Sequence, residues 1–303
     1  MIVVSNLHIT SSTAINPSMI SSNTDSMYVM VAPCILDPSL RAEGITRDED
    51  LRAYAACLKR CSAFGLEVVA LPCAETLYLG KNRTPGTFTE RLNTPEFELI
   101  IDRLEIEVRQ IILQRGEPLC IIGADSSPTC GVNTTWYGPE EKLTHRGVFL
   151  SRFPEIPAID AFDFARYRVY LASPLFTEAE RKYNELIRDL LATHCFEVYL
   201  PQEVGLDSAS RNRDAIDHIF RSHCDALQKT DWIVAIIDGA DADSGCAWEI
   251  GYAYAKGIPV VSLRTDFRHV GQNEHVNLML ERSSVVVTSK EALPRALKSP
   301  LHH

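Results

Sequence analysis

The sequence predicts an α/β protein of two domains, each a parallel sheet covered by helices. Three observations lead there. The 303 residues are about twice a common domain length. Short β-branched runs alternate with helix-length amphipathic segments along the chain. One proline-bearing stretch, Phe153 to Asp163, interrupts that alternation near the middle.

The strand candidates are Tyr28–Ala32, Glu67–Leu71, Leu119–Ile122, Arg168–Ala172, Glu197–Leu200, Trp232–Ile237 and Pro259–Ser262. Between them, apolar positions recur at helical spacing over Asp48–Phe64, Pro95–Arg115, Glu178–Thr193 and Ala215–Lys229. A further helix is expected to begin near Ser244 and to close at Gly257, a residue suited to a left-handed cap. The expected division is a tail over 1–26, a first domain over 27–163 and a second over 164–303. The tail is rich in Ser, Asn and Thr and has neither a basic start nor an apolar core, so it reads as disordered and not as a secretory signal.

Composition narrows the function. A net charge of −10 disfavours a nucleic-acid backbone or an anionic membrane as partner. No run approaches the roughly 20 apolar residues of a membrane span. The nine cysteines contain no CxxC pair and are odd in number, which points to free thiols or metal ligands in a cytoplasmic protein.

The strongest chemical signal is the run from Asp231 to Gly257. A strand reading 232–237 enters a loop holding Asp238, Gly239, Asp241 and Asp243, and the expected helix follows. Parallel α/β sheets gather their ligands at the carboxyl ends of strands, so these carboxylates stand where a site is expected. Asp238 and Gly239 are substrate-binding candidates on that ground. Glu249 sits inside the helix between Ala247, Trp248, Ile250 and Gly251, a costly place for a charge unless it is paired or used. The simpler reading is that Asp243 or Ser244 caps the helix and Glu249 is solvated.

Four segments together resemble the nucleoside 2-deoxyribosyltransferase family: Tyr170 to Phe176, Phe196 to Gln202, Asp243 to Ala253, and Val276 to Leu280. The resemblance implies a flavodoxin-like second domain and a double displacement without metal or nucleotide cofactor. It makes Glu249 the nucleophile that attacks C1′ of a 2′-deoxynucleoside, in the manner of a retaining glycosidase. It makes Tyr170 the hydrogen-bond partner that orients Glu249, and places Asp243 and Asn277 near the sugar 5′-hydroxyl. The implied partners are 2′-deoxynucleosides, free nucleobases and, through Asn277, a second copy of the chain in a homo-oligomer.

One position departs from the family pattern. Eight residues before Asp231, where the family often has Asp or Asn against the nucleobase, this chain has His223, and the nearest carboxylate is Asp225. Two helical positions differ by about 200°, so the two side chains cannot exchange places without a local shift. His223 can itself donate a proton near neutral pH. A deoxynucleoside N-glycoside hydrolase is the alternative, since water instead of a base can resolve the intermediate.

In the first domain, Cys34, Cys73 and Cys130 each follow a strand candidate, so parallel strands would bring them to one sheet edge. Thiolates gathered there suit a soft metal or an iron–sulfur cluster. With Leu77 to Gly80, Asn82-Arg83 and Arg146 to Phe149, these segments resemble the thiouracil desulfidase family. That resemblance implies a [4Fe-4S] cluster on Cys34, Cys73 and Cys130, with Glu75 and Ser127 handling protons and positioning substrate. The competing reading is a non-catalytic binding module with ordinary buried thiols. Cys57, Cys61 and Cys120 read as core residues.

Overall fold

The computed structural model describes residues 27–204, 213–268, 271 and 276–300. The expected tail and nearly all of the polar loop before Val276 lie outside the described residues.

Two parallel sheets form in sequence order. The first joins β1 (Tyr28–Val31), β2 (Glu67–Ala70), β3 (Ile121–Gly123) and β6 (Ala158–Asp160) in the order β2-β1-β3-β6. Between β3 and β6 lies a small antiparallel pair, β4 (Thr135–Gly138) with β5 (Glu141–Leu143). The second sheet joins β7 (Arg168–Ala172), β8 (Glu197–Tyr199), β9 (Trp232–Ile236), β10 (Val260–Leu263) and β11 (Val285–Val287) in the order β11-β10-β9-β7-β8. Counted within the domain this is 2-1-3-4-5, the flavodoxin-like order, with its switch point between the first and third strands.

Strand alternation explains why the second sheet is covered on both faces. Val169 and Leu171 on β7, with Trp232, Val234 and Ile236 on β9, pack with Ile187 and Leu191 of the helix Glu178–Thr193. The intervening Tyr170, Ala172, Ile233 and Ala235 pack on the opposite face. There they meet Leu227 of Arg213–Lys229, and Cys246, Ile250 and Ala253 of Ser244–Lys256. Period-2 side chains thus supply two apolar surfaces from one strand, and each fully buried Val, Leu or Ile contributes about 1.5–3 kcal/mol.

The proline-bearing boundary is more ordered than expected. It holds β6 and the short helix Ala161–Phe164. The strand is an edge strand paired only with β3, and Pro157 precedes it, accepting Ile121 N–H through its carbonyl. Proline is tolerated at such an edge because no ladder donor is lost. Arg60 ties the two halves together. Fully buried, it donates to the carbonyls of Phe164 (2.9 Å) and Cys195 (2.9 and 2.6 Å), with its guanidinium 4.8 Å from the rings of both Phe164 and Phe196. Burial lowers its pKa to about 10, which still leaves it charged at neutral pH. Among the described residues, no helix is long and apolar enough to cross a membrane.

Candidate active sites

The first site stands on the face of β7 covered by the helices Arg213–Lys229 and Ser244–Lys256. Tyr170 is fully buried, and its hydroxyl donates to Glu249 Oε1 at 2.5 Å. Glu249 is delivered by the helix Ser244–Lys256, whose start is fixed by Asp243: its Oδ2 accepts the N–H groups of Gly245 (2.8 Å) and Cys246 (3.1 Å). A Cβ at Gly245 would lie 2.9 Å from that same oxygen, so a side chain there would press on the cap. Gly257, at φ 69°, ends the helix as expected.

The simpler reading of this helix is therefore half right: Asp243 is a cap, but Glu249 is not merely solvated. Burial raises its pKa to about 7, with Tyr170 pulling it down and the Asp243 charge pushing it up. The Tyr170 hydroxyl is displaced far above its usual range, by burial first and by the Glu249 charge next, so it remains a donor. The pair is a carboxylate with a permanent hydrogen-bond donor and a reduced preference for negative charge. Such a group releases destabilisation when it forms a neutral ester.

Tyr199 extends this constellation, and the sequence reading had assigned it no role. Its ring stacks on Tyr170 with centroids 5.3 Å apart, and its hydroxyl lies 2.9 Å from Nδ1 of His223. His223, on Arg213–Lys229, is half-buried with its pKa lowered by that burial, so it is neutral at pH 7. Asp225, two residues on, is exposed. The signal that could have found Tyr199 is its register opposite Tyr170 across the β7–β8 pair.

The remaining candidates divide by what already occupies them. Asp238 accepts from Thr265 N–H (2.6 Å), Thr265 Oγ1 (2.6 Å) and Asp266 N–H (2.8 Å), which staples the loop after β10 to the loop after β9. Gly239, at φ 112°, donates to Asp266. Asn277 is exposed and caps the short helix Leu278–Arg282, accepting Met279 N–H at 2.9 Å. Val276 and Leu280 point into the chain's own core, while Leu278 and Met279 are exposed. Ser173, just past β7, has a buried hydroxyl without a partner among the described residues.

The second site is a cleft of about 930 Å3 at the carboxyl edge of the first sheet. Cys34 in Pro33–Leu36, Cys73 capping Ala74–Leu79, and Cys130 in the loop after β3 all line it, as do Glu75 and Ser127. Burial pushes Cys34 up to about 12 and Cys130 well up, and the mutual influence of Cys34, Cys73 and Glu75 adds to both. Glu75 is held on both oxygens: Arg83, itself buried, donates through Nε (3.2 Å) and Nη2 (3.1 Å), while Thr129 (2.8 Å) and Ser127 (3.3 Å) donate to the other. The loop carrying Ser127 and Cys130 is shaped by Asp125, whose Oδ1 accepts the N–H groups of Val132 (3.0 Å), Asn133 (2.7 Å) and Thr134 (3.3 Å). Cys57, Cys61 and Cys120 are buried in the first core, away from the cleft lining. Among the described residues, no three or more His, Cys, Asp or Glu side chains are drawn together around a single ion position.

Residues 169–287 match the family model for nucleoside 2-deoxyribosyltransferase. No curated protein matches the chain. Among solved structures, a conserved protein from Enterococcus faecalis V583 is 32% identical over 44% of this chain and 98% of its own, with a TM-score of 0.38. A 2-deoxyribosyltransferase from Bacillus psychrosaccharolyticus is 25% identical over 42% of this chain and 89% of its own, with a TM-score of 0.37. A [4Fe-4S]-dependent thiouracil desulfidase is similar to the N-terminal part at 16% identity, over 44% of this chain and 90% of its own, with a TM-score of 0.31.

Proposed function

We propose that the second domain, 164–303, transfers 2-deoxyribose between nucleobases through a glycosyl ester on Glu249. The observation that carries this reading is the buried Tyr170 hydroxyl held 2.5 Å from Glu249 inside a stretch of that transferase family. The ionised carboxylate attacks C1′, the N-glycosidic bond breaks, and the departing base takes a proton. An incoming base then attacks C1′ through a ring nitrogen, loses its proton, and frees the carboxylate. Splitting one displacement into two, each at an oxocarbenium-like centre beside a carboxylate, is what lowers the barrier. Tyr170 orients Glu249 and keeps enough ionised carboxylate available near neutral pH. His223 supplies or receives the base's proton; Asp225, exposed on the same helix, is the less suited donor. Asp243 and Asn277 bind the sugar end, and a neighbouring copy's Asn277 completes each site in a homo-oligomer. The exposed Leu278 and Met279 support such a contact. The test is incubation of a 2′-deoxynucleoside with a second free base: the swapped nucleoside supports transfer, and free deoxyribose alone supports the hydrolase.

For the first domain, 27–163, the three thiols lining one cleft favour a second reading, a [4Fe-4S]-dependent desulfidase acting on thiolated bases. The donor set fits, because three soft thiols share one cleft, and a cluster spaces its ligands more widely than one ion does. Cys34, Cys73 and Cys130 would hold the cluster, which when bound supplies an open iron for a substrate sulfur. Ser127 and Thr129 hold Glu75 at the cleft wall, where its carboxylate positions a base and exchanges a proton with it.

A further inference from the structure

We infer that Tyr199 is a positioning residue that fixes the proton of His223 on Nε2, leaving that nitrogen to donate to a ring nitrogen of the departing base. The inference rests on the transferase reading above. Its starting point is the 2.9 Å contact between the Tyr199 hydroxyl and His223 Nδ1, together with the stack of Tyr199 on Tyr170, the partner of Glu249.

The direction of the hydrogen bond follows from the two groups. A neutral imidazole has one N–H and one acceptor nitrogen, and the hydrogen bond at one nitrogen sets the tautomer. A phenol is a better donor than a neutral imidazole N–H, and an imidazole nitrogen is a better acceptor than a phenol oxygen. Tyr199 therefore donates, Nδ1 accepts, and the imidazole proton resides on Nε2. The opposite arrangement would leave the half-buried phenol proton without an acceptor among the described residues, where His223 is the partner of this hydroxyl. The Tyr199 ring, packed nearly parallel to Tyr170 at 18°, has little freedom to turn its hydroxyl away. The T-shaped contact of the two rings, with centroids 5.9 Å apart, holds His223 across its edge.

The consequence is a preference in substrate. A donor held on Nε2 captures a base that presents an unprotonated ring nitrogen as acceptor next to the glycosidic bond system. As the glycosidic bond breaks, that nitrogen takes the Nε2 proton while the Tyr199 hydroxyl proton passes to Nδ1, so the imidazole stays neutral and the base leaves neutral. In the second half-reaction the incoming base returns a proton to Nε2, and the Nδ1 proton goes back to Tyr199. Proton balance is kept within one exchange cycle. A base whose corresponding nitrogen is alkylated, and so cannot accept, loses this assistance.

The test uses the full chain labelled with 15N-histidine, with the His223 signals assigned from their loss in His223→Gln. Wild type should show the Nε2–H tautomer, and Tyr199→Phe, which keeps the stack and removes the hydroxyl, should show a mixture of tautomers. In base exchange, Tyr199→Phe should lower kcat by about tenfold to a hundredfold, within the range of general-acid effects, with little change in KM. Added to His223→Gln, it should cost nothing further, because its action runs through that imidazole. An Nδ1–H tautomer in wild type overturns the inference. So does an unchanged tautomer and rate in Tyr199→Phe, or a Tyr199→Phe loss that is undiminished in His223→Gln. Tautomers are read without turnover, so absence of exchange in wild type would refute the transferase reading separately from the hydrogen-bond assignment.

Discussion

Glu249→Gln should stabilise the protein while removing its activity, and the gain should depend on pH. Burial raises the folded-state pKa of Glu249 from 4.5 to about 7, with the Asp243 charge adding to it. That displacement corresponds to roughly 3 kcal/mol of disfavoured negative charge. Between these two values the unfolded chain has released the proton and the folded chain keeps it. Wild type therefore loses stability as pH rises from about 4.5 through 7, and the full cost is present above 7. Glutamine has nearly the same shape, carries no charge, and can still accept from Tyr170, at the expense of a weaker, neutral hydrogen bond. The net gain at pH 8.5 should be about 1–3 kcal/mol, shrinking to nothing or reversing by pH 5. Urea unfolding of both proteins at pH 5, 7 and 8.5, compared by midpoint at equal slope, measures it. A Gln variant less stable than wild type at pH 8.5, or a difference independent of pH, would refute the assignment of Glu249 as a half-buried carboxylate held against its preference.

Three further outcomes are expected. kcat/KM for exchange should rise with pH through about 7 as Glu249 ionises, and Tyr170→Phe should move that rise to higher pH, because the hydrogen bond it removes lowers the Glu249 pKa; a pH–rate series on both proteins checks this. After anaerobic reconstitution, Cys34→Ser, Cys73→Ser or Cys130→Ser should each reduce bound iron and visible absorbance, whereas Cys120→Ser should not; iron-free wild type would reject the cluster, and base exchange should survive in every case. Mixing Glu249→Gln with Asn277→Ala protein should restore exchange by forming some sites that are wild-type at both positions; no recovery after verified subunit exchange would assign Asn277 to its own chain's site.

Much of the fold was legible because periodicity and packing agree. The helix Glu178–Thr193 was read to the residue, since its apolar stripe and its Thr177 cap coincide with the buried face. The start and end of Ser244–Lys256 were equally readable from Asp243 and Gly257. Strand order was legible only in the second sheet and only through the family resemblance, which implied the flavodoxin-like order; spacing along the chain does not say which parallel neighbour a strand chooses. The β4–β5 pair and β6 were missed because none carries a β-branched pair of the kind seen in β2 or β3, and Pro154 and Pro157 argued against structure that an edge strand permits. Within the site, Tyr170 and Glu249 were found through a family pattern, while Tyr199 has meaning only through its cross-strand placement. Asp238 looked like a ligand group in sequence, and its three contacts to Thr265 and Asp266 make it a loop staple. Arg60 gave no signal, since its partners are carbonyls more than a hundred residues away.

The central claim, a covalent deoxyribosyl ester on Glu249, is tested most directly by peptide mass spectrometry of enzyme acid-quenched during turnover of a 2′-deoxynucleoside without acceptor base. The account predicts that the peptide containing Glu249 gains the mass of one deoxyribosyl group, that adding a free base discharges it, and that Glu249→Gln never acquires it. A label on a different carboxylate, or an unmodified Glu249 peptide in enzyme that is actively exchanging bases, would contradict it.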